Sequence, residues 1–326
     1  MKNVPKLVSI GLLTVGLAAV TGCATSPSAE PAQAQSEVTK VAVIVSSLVD
    51  TSPVYIAQEQ GLFEERGLEV TINVAPTPGA RIPALVSGAA QFGLVGTADV
   101  LQAFSAGVDI RAVGTTTVTT DDEQEDTGKV YVPADSGVKK PADLIGRTIA
   151  VGGLGGGGEL SLRAALDMAG ADSQQVKFLE VPFDSMLNAL ETGQVDAISS
   201  VAPFTGAAEA SGARFLMSPG AIALPGAAQQ LVVTTGKFIS ENQDAVKKFR
   251  DAVAEATEFA AKNPDAVRKI LPTFSKTPKE LADTMQLPVF DPNLTPEIVK
   301  TWSDLMFEYK FIDTELDVAT LVEEAL

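Results

Sequence analysis

PALVSGAAQFGLVGTADVLQAFSAG, from Pro83 to Gly107, lies without gaps over NALETGQVDAISSVAPFTGAAEASG, from Asn188 to Gly212, at a constant offset of 105 residues. Ala84, Leu85, Gly88, Ala103 and Gly107 recur as Ala189, Leu190, Gly193, Ala208 and Gly212. Alanine is abundant, so these identities weigh less than the order of parts. Both copies read as helix end, glycine, strand, small polar turn, helix, glycine. A chain that repeats such a unit over this distance is constrained to two similar α/β lobes.

The flanking segments extend the pattern. Lys40 to Val45 (KVAVIV) is a continuous apolar run bounded by turn residues, a buried strand. Ser52 then stands as an N-cap, Pro53 in the first helical turn and Gly61 at the C-terminal stop. Leu68 to Val74 alternates as a second strand, Thr77-Pro78-Gly79-Ala80-Arg81 opens a helix that ends at Gly88, Phe92 to Val95 is a third strand, and Ala98 to Ala106 a helix. Strands alternating with helices of this length mean parallel βαβ units. A second set starts at Thr148. Leu231-Val232-Val233 is a returning strand, Asp244 to Lys262 a long amphipathic helix, and Pro296 to Leu326 a helical end carrying the sole tryptophan, Trp302. The expected division is lobe 1 from 38–117 and 230–326 and lobe 2 from 118–229, with hinges near Gly114 to Thr119 and Gln229 to Val233.

Lys2 and Lys6 precede an apolar run from Leu7 to Val20, the length of a signal-peptide core and too short to span a bilayer stably. The run ends in Val20-Thr21-Gly22-Cys23, which resembles the lipobox of bacterial lipoproteins. Residues 1–22 then form the signal and Cys23, the only cysteine, the lipidated first residue. The stretch 23–37 has no large apolar residue before Val38 and reads as a flexible tether. The net charge of −17 argues against nucleic acid and anionic lipid as partners. Histidine is absent, which removes Ser-His-Asp and Cys-His catalysis and the commonest zinc ligand.

Four stretches in order, VYIAQEQGLFEERGLEVTI (Val54 to Ile72), ALVSGAAQFGLVG, KKPADLIGRTIAVGG (Lys139 to Gly153) and ALETGQVDAI, resemble one family. It is the solute-binding proteins of ABC importers that handle sulfonates, taurine, nitrate and thiamine-pyrimidine precursors. The resemblance runs from about Val41 to Asn263, and the stretch from Ala57 to Val70 is its more specific part. It implies a type II periplasmic-binding-protein fold, a two-lobed α/β clamp with a mainly parallel sheet in each lobe and two hinge crossings. It implies also an ABC permease and its ATPase as partners. The sequence departs from the family at Gln91, where many members carry an aspartate that Asp196 keeps in the second copy.

One motif points elsewhere. Gly153, Gly155 and Gly158 fit G-x-G-x-x-G after an apolar run, and a second run ends at Glu180, the parts of a dinucleotide site with its ribose acid. In the clamp reading the same backbone donors line the opening between the lobes. An exported chain without histidine favours the clamp over an NAD-dependent oxidoreductase.

In open α/β sheets, ligands bind beyond the carboxyl ends of strands. That selects Ser46, Ser47, Leu48 and Ser52 after the first strand, Thr77, Gly79 and Arg81 after the second, and Gly96 and Thr97 after the third. The second lobe adds Gly153, Leu154, Gly155, Gly156, Gly157, Phe183, Asp184, Ser199, Ser200 and Pro203. Arg81 is the candidate partner for a ligand's negative head, because a guanidinium forks onto oxyanions. The acidic run Asp121 to Asp126 reads as a solvated face that matches no calcium loop. The expected protein is a non-enzymatic, monomeric, lipid-anchored clamp at the outer face of the cytoplasmic membrane or in the periplasm, without cofactor or metal. It captures a small organic anion, a sulfonate or carboxylate. A neutral heterocycle such as a thiamine pyrimidine precursor, and a sensor without a transporter, are the alternatives.

Overall fold

A computed structural model describes residues 38–75 and 78–323. Its strands are β1 (Thr39–Val45), β2 (Leu68–Val74), β3 (Phe92–Gly96), β4 (Arg111–Val118), β5 (Gly128–Val132), β6 (Thr148–Val151), β7 (Lys177–Glu180), β8 (Ala197–Val201), β9 (Arg214–Met217), β10 (Ala228–Thr234) and β11 (Val289–Phe290). They make a six-stranded sheet in the order β11-β4-β10-β3-β1-β2 and a five-stranded sheet in the order β7-β6-β8-β5-β9. Helices flank both.

The two sheets share one plan. β1 pairs parallel with β2 and β3, and β10 enters antiparallel between β3 and β4. In the other sheet β6 pairs parallel with β7 and β8, and β5 enters antiparallel between β8 and β9. Each sheet therefore receives, as its antiparallel insert, a strand of the chain returning from the other. The chain crosses between the sheets at 119–127 and again at 218–227. The crossings are tied together where they begin and end, by Thr119 N–H to Ala227 O at 2.9 Å and Gly226 N–H to Thr119 O at 3.1 Å. Of the hinge positions expected near Gly114 to Thr119 and Gln229 to Val233, Gly114 to Val118 and Gln229 to Val233 lie inside β4 and β10, where ladder bonds hold the backbone, and Thr119 opens the first crossing.

The 105-residue repeat is structural. β3 shifted by the offset falls on β8 residue for residue, and the closing glycines match in conformation: Gly88 and Gly193 have φ of 76° and 71°, Gly107 and Gly212 of 79° and 84°. These left-handed turns are where side chains with a Cβ are disfavoured. Gln91, the departure noted above, keeps the aspartate's hydrogen bond. Its Oε1 accepts the Ala42 amide at 2.8 Å, as Asp196 Oδ2 accepts the Thr148 amide at 2.9 Å.

Burial accounts for the packing. On the first sheet, Phe92 stacks on Phe249 of the Gln243–Lys262 helix at 3.9 Å between ring centroids, and Phe63 stacks on Phe249 at 5.3 Å. Phe92 and Phe249 are fully buried. The Pro296–Glu308 helix, expected on the first lobe, packs on both. Gly157 of the second lobe lies against both Trp302 and Ala98 of the first, and Tyr309 donates to Asp167 Oδ2 at 2.8 Å. Among the described residues no helix is long and apolar enough to cross a membrane. The signal, Cys23 and the tether lie outside the described residues.

Candidate functional site

A cavity of about 310 Å³ opens between the two sheets, where the carboxyl ends of their central parallel strands face each other. From the first sheet it takes Leu48, Val49 and Asp50 after β1, and Gly96, Thr97, Ala98 and Asp99 after β3. From the second it takes Gly157, Gly158 and Ser161 after β6, and Ser199 to Ala202 at the end of β8. The crossings supply Thr119, Asp126, Thr127, Pro219, Gly220 and Leu224, the strands that follow them supply Gly128 and Gln229, and the C-terminal region supplies Pro288 and Trp302.

Of the residues selected from sequence, Leu48, Gly96, Thr97, Gly157, Ser199 and Ser200 line this cavity. Thr77 lies outside the described residues. The others are turned elsewhere, for identifiable reasons. β2 and β7 are edge strands, so the loops after them sit to the side of the cleft. Gly79 and Asp184 are exposed there. Phe183 lies flat on Gly152, where an added Cβ would come within 2.3 Å of its ring, and stacks on Phe204 at 5.9 Å. Ser52 is buried, with its hydroxyl donating to Val49 O at 2.7 Å; Thr51, not Ser52, precedes the helix. Ser46 Oγ accepts the Leu48 amide at 3.2 Å, while Ser47 is exposed. Pro203 sits one residue beyond Ala202, the last lining residue after β8.

The glycine turn is occupied by its own acids. Leu154 N–H donates to Glu180 Oε2 at 3.1 Å, and Gly155 N–H to Glu159 Oε2 at 2.8 Å. Glu159 is buried and paired with Arg163, Nε to Oε1 at 2.7 Å. The Leu154 and Gly155 amides are therefore taken up inside the turn, and the acid at the ribose position is used to close it. This geometry disfavours the dinucleotide reading.

Arg81 is also placed differently from expectation. It is 7% exposed, donates to Leu94 O at 3.0 Å and faces Asp99 Oδ2 at 3.6 Å. Arg81 is not among the residues lining the cavity, and the charged side chains that do line it are the carboxylates of Asp50, Asp99 and Asp126. Burial pushes the Asp50 carboxyl up to about 6, against the opposing pull of Arg81 and of hydrogen bonds from its own amide, the Thr51 amide and the Ser46 hydroxyl. Asp99 is likewise raised by burial and partly restored by Arg81.

Asp126 belongs to a run expected to be solvated, yet it is buried. It accepts from the Gly128 amide at 3.1 Å, the Ala221 amide at 3.0 Å and the Ser218 hydroxyl, and its neighbour Glu123 accepts the Ser218 amide at 2.8 Å. The acids thus tie the first crossing to the second. Among the described residues no group of three or more His, Cys, Asp or Glu side chains is arranged to hold a metal ion. Sequence reasoning missed Asp50, Asp99, the crossings and Trp302. A carboxylate in the first helical turn after a strand is a signal that could have found Asp99, but nothing local marks Trp302.

The family model described as "NMT1/THI5 like" matches residues 49–267. A Brucella abortus (strain 2308) protein named as a binding protein is 27% identical over 242 residues, covering 72% of this chain and 70% of that protein. A Bacillus subtilis (strain 168) protein named for binding aliphatic sulfonates is 26% identical over 282 residues, covering 83% and 82%. The crystal structure of the periplasmic aliphatic sulphonate binding protein SsuA from Escherichia coli superposes with a TM-score of 0.75 at 18% identity, covering 87% of this chain and 92% of that one. The chain belongs to the NMT1/THI5-like family and has the periplasmic-binding-protein fold.

Proposed function

We propose that this member of the NMT1/THI5-like family is an exported lipoprotein, anchored through Cys23, that traps a small solute between its lobes. It would present the closed form to an ABC permease and its ATPase. One observation carries the reading: the walls of the 310 Å³ cavity come from both sheets and from both crossings. A solute held there touches both lobes at once, and its binding free energy can draw them together about the crossings. The cavity volume suits a molecule of metabolite size. The residues offer structural occupations for the parts a catalytic reading would need, since the glycine turn is closed by Glu180 and Glu159.

A sulfonate ligand has support from the Bacillus subtilis relative's name, but Arg81 is not among the residues lining the cavity that would receive it. The test of capture is small-angle scattering of the protein with a solute library. Closure predicts a fall in radius of gyration with the cognate solute and none with non-binders. An unchanged profile with every solute, including those that bind by calorimetry, would refute a closing clamp.

A further inference from the structure

Three buried polar atoms on the cavity-lining residues lack a hydrogen-bond partner: Asp50 Oδ1, Ser200 Oγ and Trp302 Nε1. Ser200 is 1% exposed and Trp302 7%. Buried polar atoms without partners are rare and costly, and these three belong to residues lining one cavity, so a ligand that draws the walls together can complete them. The three are not equivalent. Indole nitrogen only donates, a hydroxyl does either, and an ionised carboxylate only accepts. A solute that reaches these atoms as the walls close brings a donor to Asp50 and an acceptor to Trp302.

Charge narrows the donor. Among the described residues the cavity lining holds three aspartates, Asp50, Asp99 and Asp126, and neither lysine nor arginine. Asp126 is consumed by the Ser218, Ala221 and Gly128 donors. Asp50 and Asp99 share the field of the one guanidinium of Arg81, which is not among the lining residues. Two carboxylates against one cation leave that end of the cavity negative. Lys129, beside the lining residue Gly128, is turned away onto Glu209 at 3.7 Å and the Phe215 ring at 5.8 Å. An anionic head would meet like charge at Asp50 and Asp99, with a desolvation cost that no cation on the wall offsets. A cationic head would meet two carboxylates, with the indole of Trp302 among the wall residues, a combination that favours ammonium groups. The net charge of −17 adds a long-range field that draws cations in.

We propose that the captured solute carries a protonated nitrogen, an ammonium or amidinium, whose N–H donates to Asp50 with Asp99 beside it, and an acceptor group toward Trp302 and Ser200. The inference rests on the capture reading above and names the chemistry of that same cavity.

The experiment uses the intrinsic fluorescence of Trp302, the sole tryptophan, as a reporter inside the site. Matched probes differing only in head group are titrated at neutral pH: benzylamine and benzamidine against phenylmethanesulfonate and benzoate, and butylamine against butanesulfonate. The amines and amidine are expected to perturb Trp302 saturably while the anions do not. Asp50→Asn should weaken the best amine by about tenfold or more, with thermal stability retained or raised as the control for folding. Binding of the anions in preference to the amines overturns the inference, as does amine affinity unchanged in Asp50→Asn, or silence from every amine and amidine. Scattering separates this failure from that of the capture reading. If the anions compact the protein and the amines do not, the clamp stands and the cation falls. If no solute that binds compacts it, the clamp itself falls.

Discussion

Replacing Asp50 with asparagine should stabilise the unliganded protein, and by an amount that grows with pH. The Asp50 carboxyl ionises at 3.8 in an ordinary setting and at about 6 in the folded chain, burial being the main cause. Between those values the folded state holds a proton that the unfolded chain has released. Where the native state binds more protons, stability falls as pH rises. The contribution is therefore fully present below about pH 4 and lost as pH climbs through about 6. A displacement of about 2 units at about 1.36 kcal/mol each gives a loss of about 3 kcal/mol as an upper bound.

The asparagine side chain keeps the shape and has no such titration. The stability difference, variant minus parent, should rise by about 1–3 kcal/mol from about pH 4 to about pH 7, with its inflection between them. Urea unfolding followed by far-UV circular dichroism across that range measures it. The comparison with the parent cancels the remaining acidic groups. A difference that stays flat would refute a desolvated Asp50. A parent that gains on the variant as pH rises would mean that Arg81 dominates and the pair is a stabilising ion pair. A residue that costs stability while lining a cavity is expected where binding, not folding, has set its identity.

Other perturbations follow from the packing. Phe249→Ala empties the centre of the Phe63–Phe249–Phe92 stack and should cost about 3–5 kcal/mol in urea unfolding. Gly152→Ala places a methyl 2.3 Å from the Phe183 ring. It should lower stability by about 1–3 kcal/mol, with the loss diminished when Phe183 is also shortened to leucine. Tyr309→Phe deletes the 2.8 Å bond to Asp167 across the lobes. Its effect on unfolding should stay near 1 kcal/mol, while scattering of the unliganded protein shifts toward the open form. Cys23→Ser should release the expressed protein from the membrane fraction, as immunoblotting of fractions would register.

The strands and the repeat were legible because their signals are local. Lys40 to Val45, Leu68 to Val74 and Phe92 to Val95 carry their apolar runs and alternation in a few consecutive residues, and they became β1, β2 and β3 nearly to the residue. The left-handed glycines at 88, 107, 193 and 212 likewise declare themselves by residue type. The rule that ligands sit beyond strand ends located Leu48, Gly96, Thr97, Gly157, Ser199 and Ser200 for the same reason, since it needs only strand direction.

Only the tertiary structure decided which strand ends matter. β2 and β7 read like their neighbours in sequence, yet as edge strands they carry Gly79, Phe183 and Asp184 away from the cleft. Arg81 was chosen for its chemistry, and its direction was set by Leu94 and Asp99, contacts 13 and 18 residues away in the chain. Trp302 reaches the cavity from a helix whose sequence shows only an amphipathic stripe. A residue's identity states what it can bond; which partner it meets is settled by long-range packing, and so the sign of charge around the solute belongs to the folded molecule.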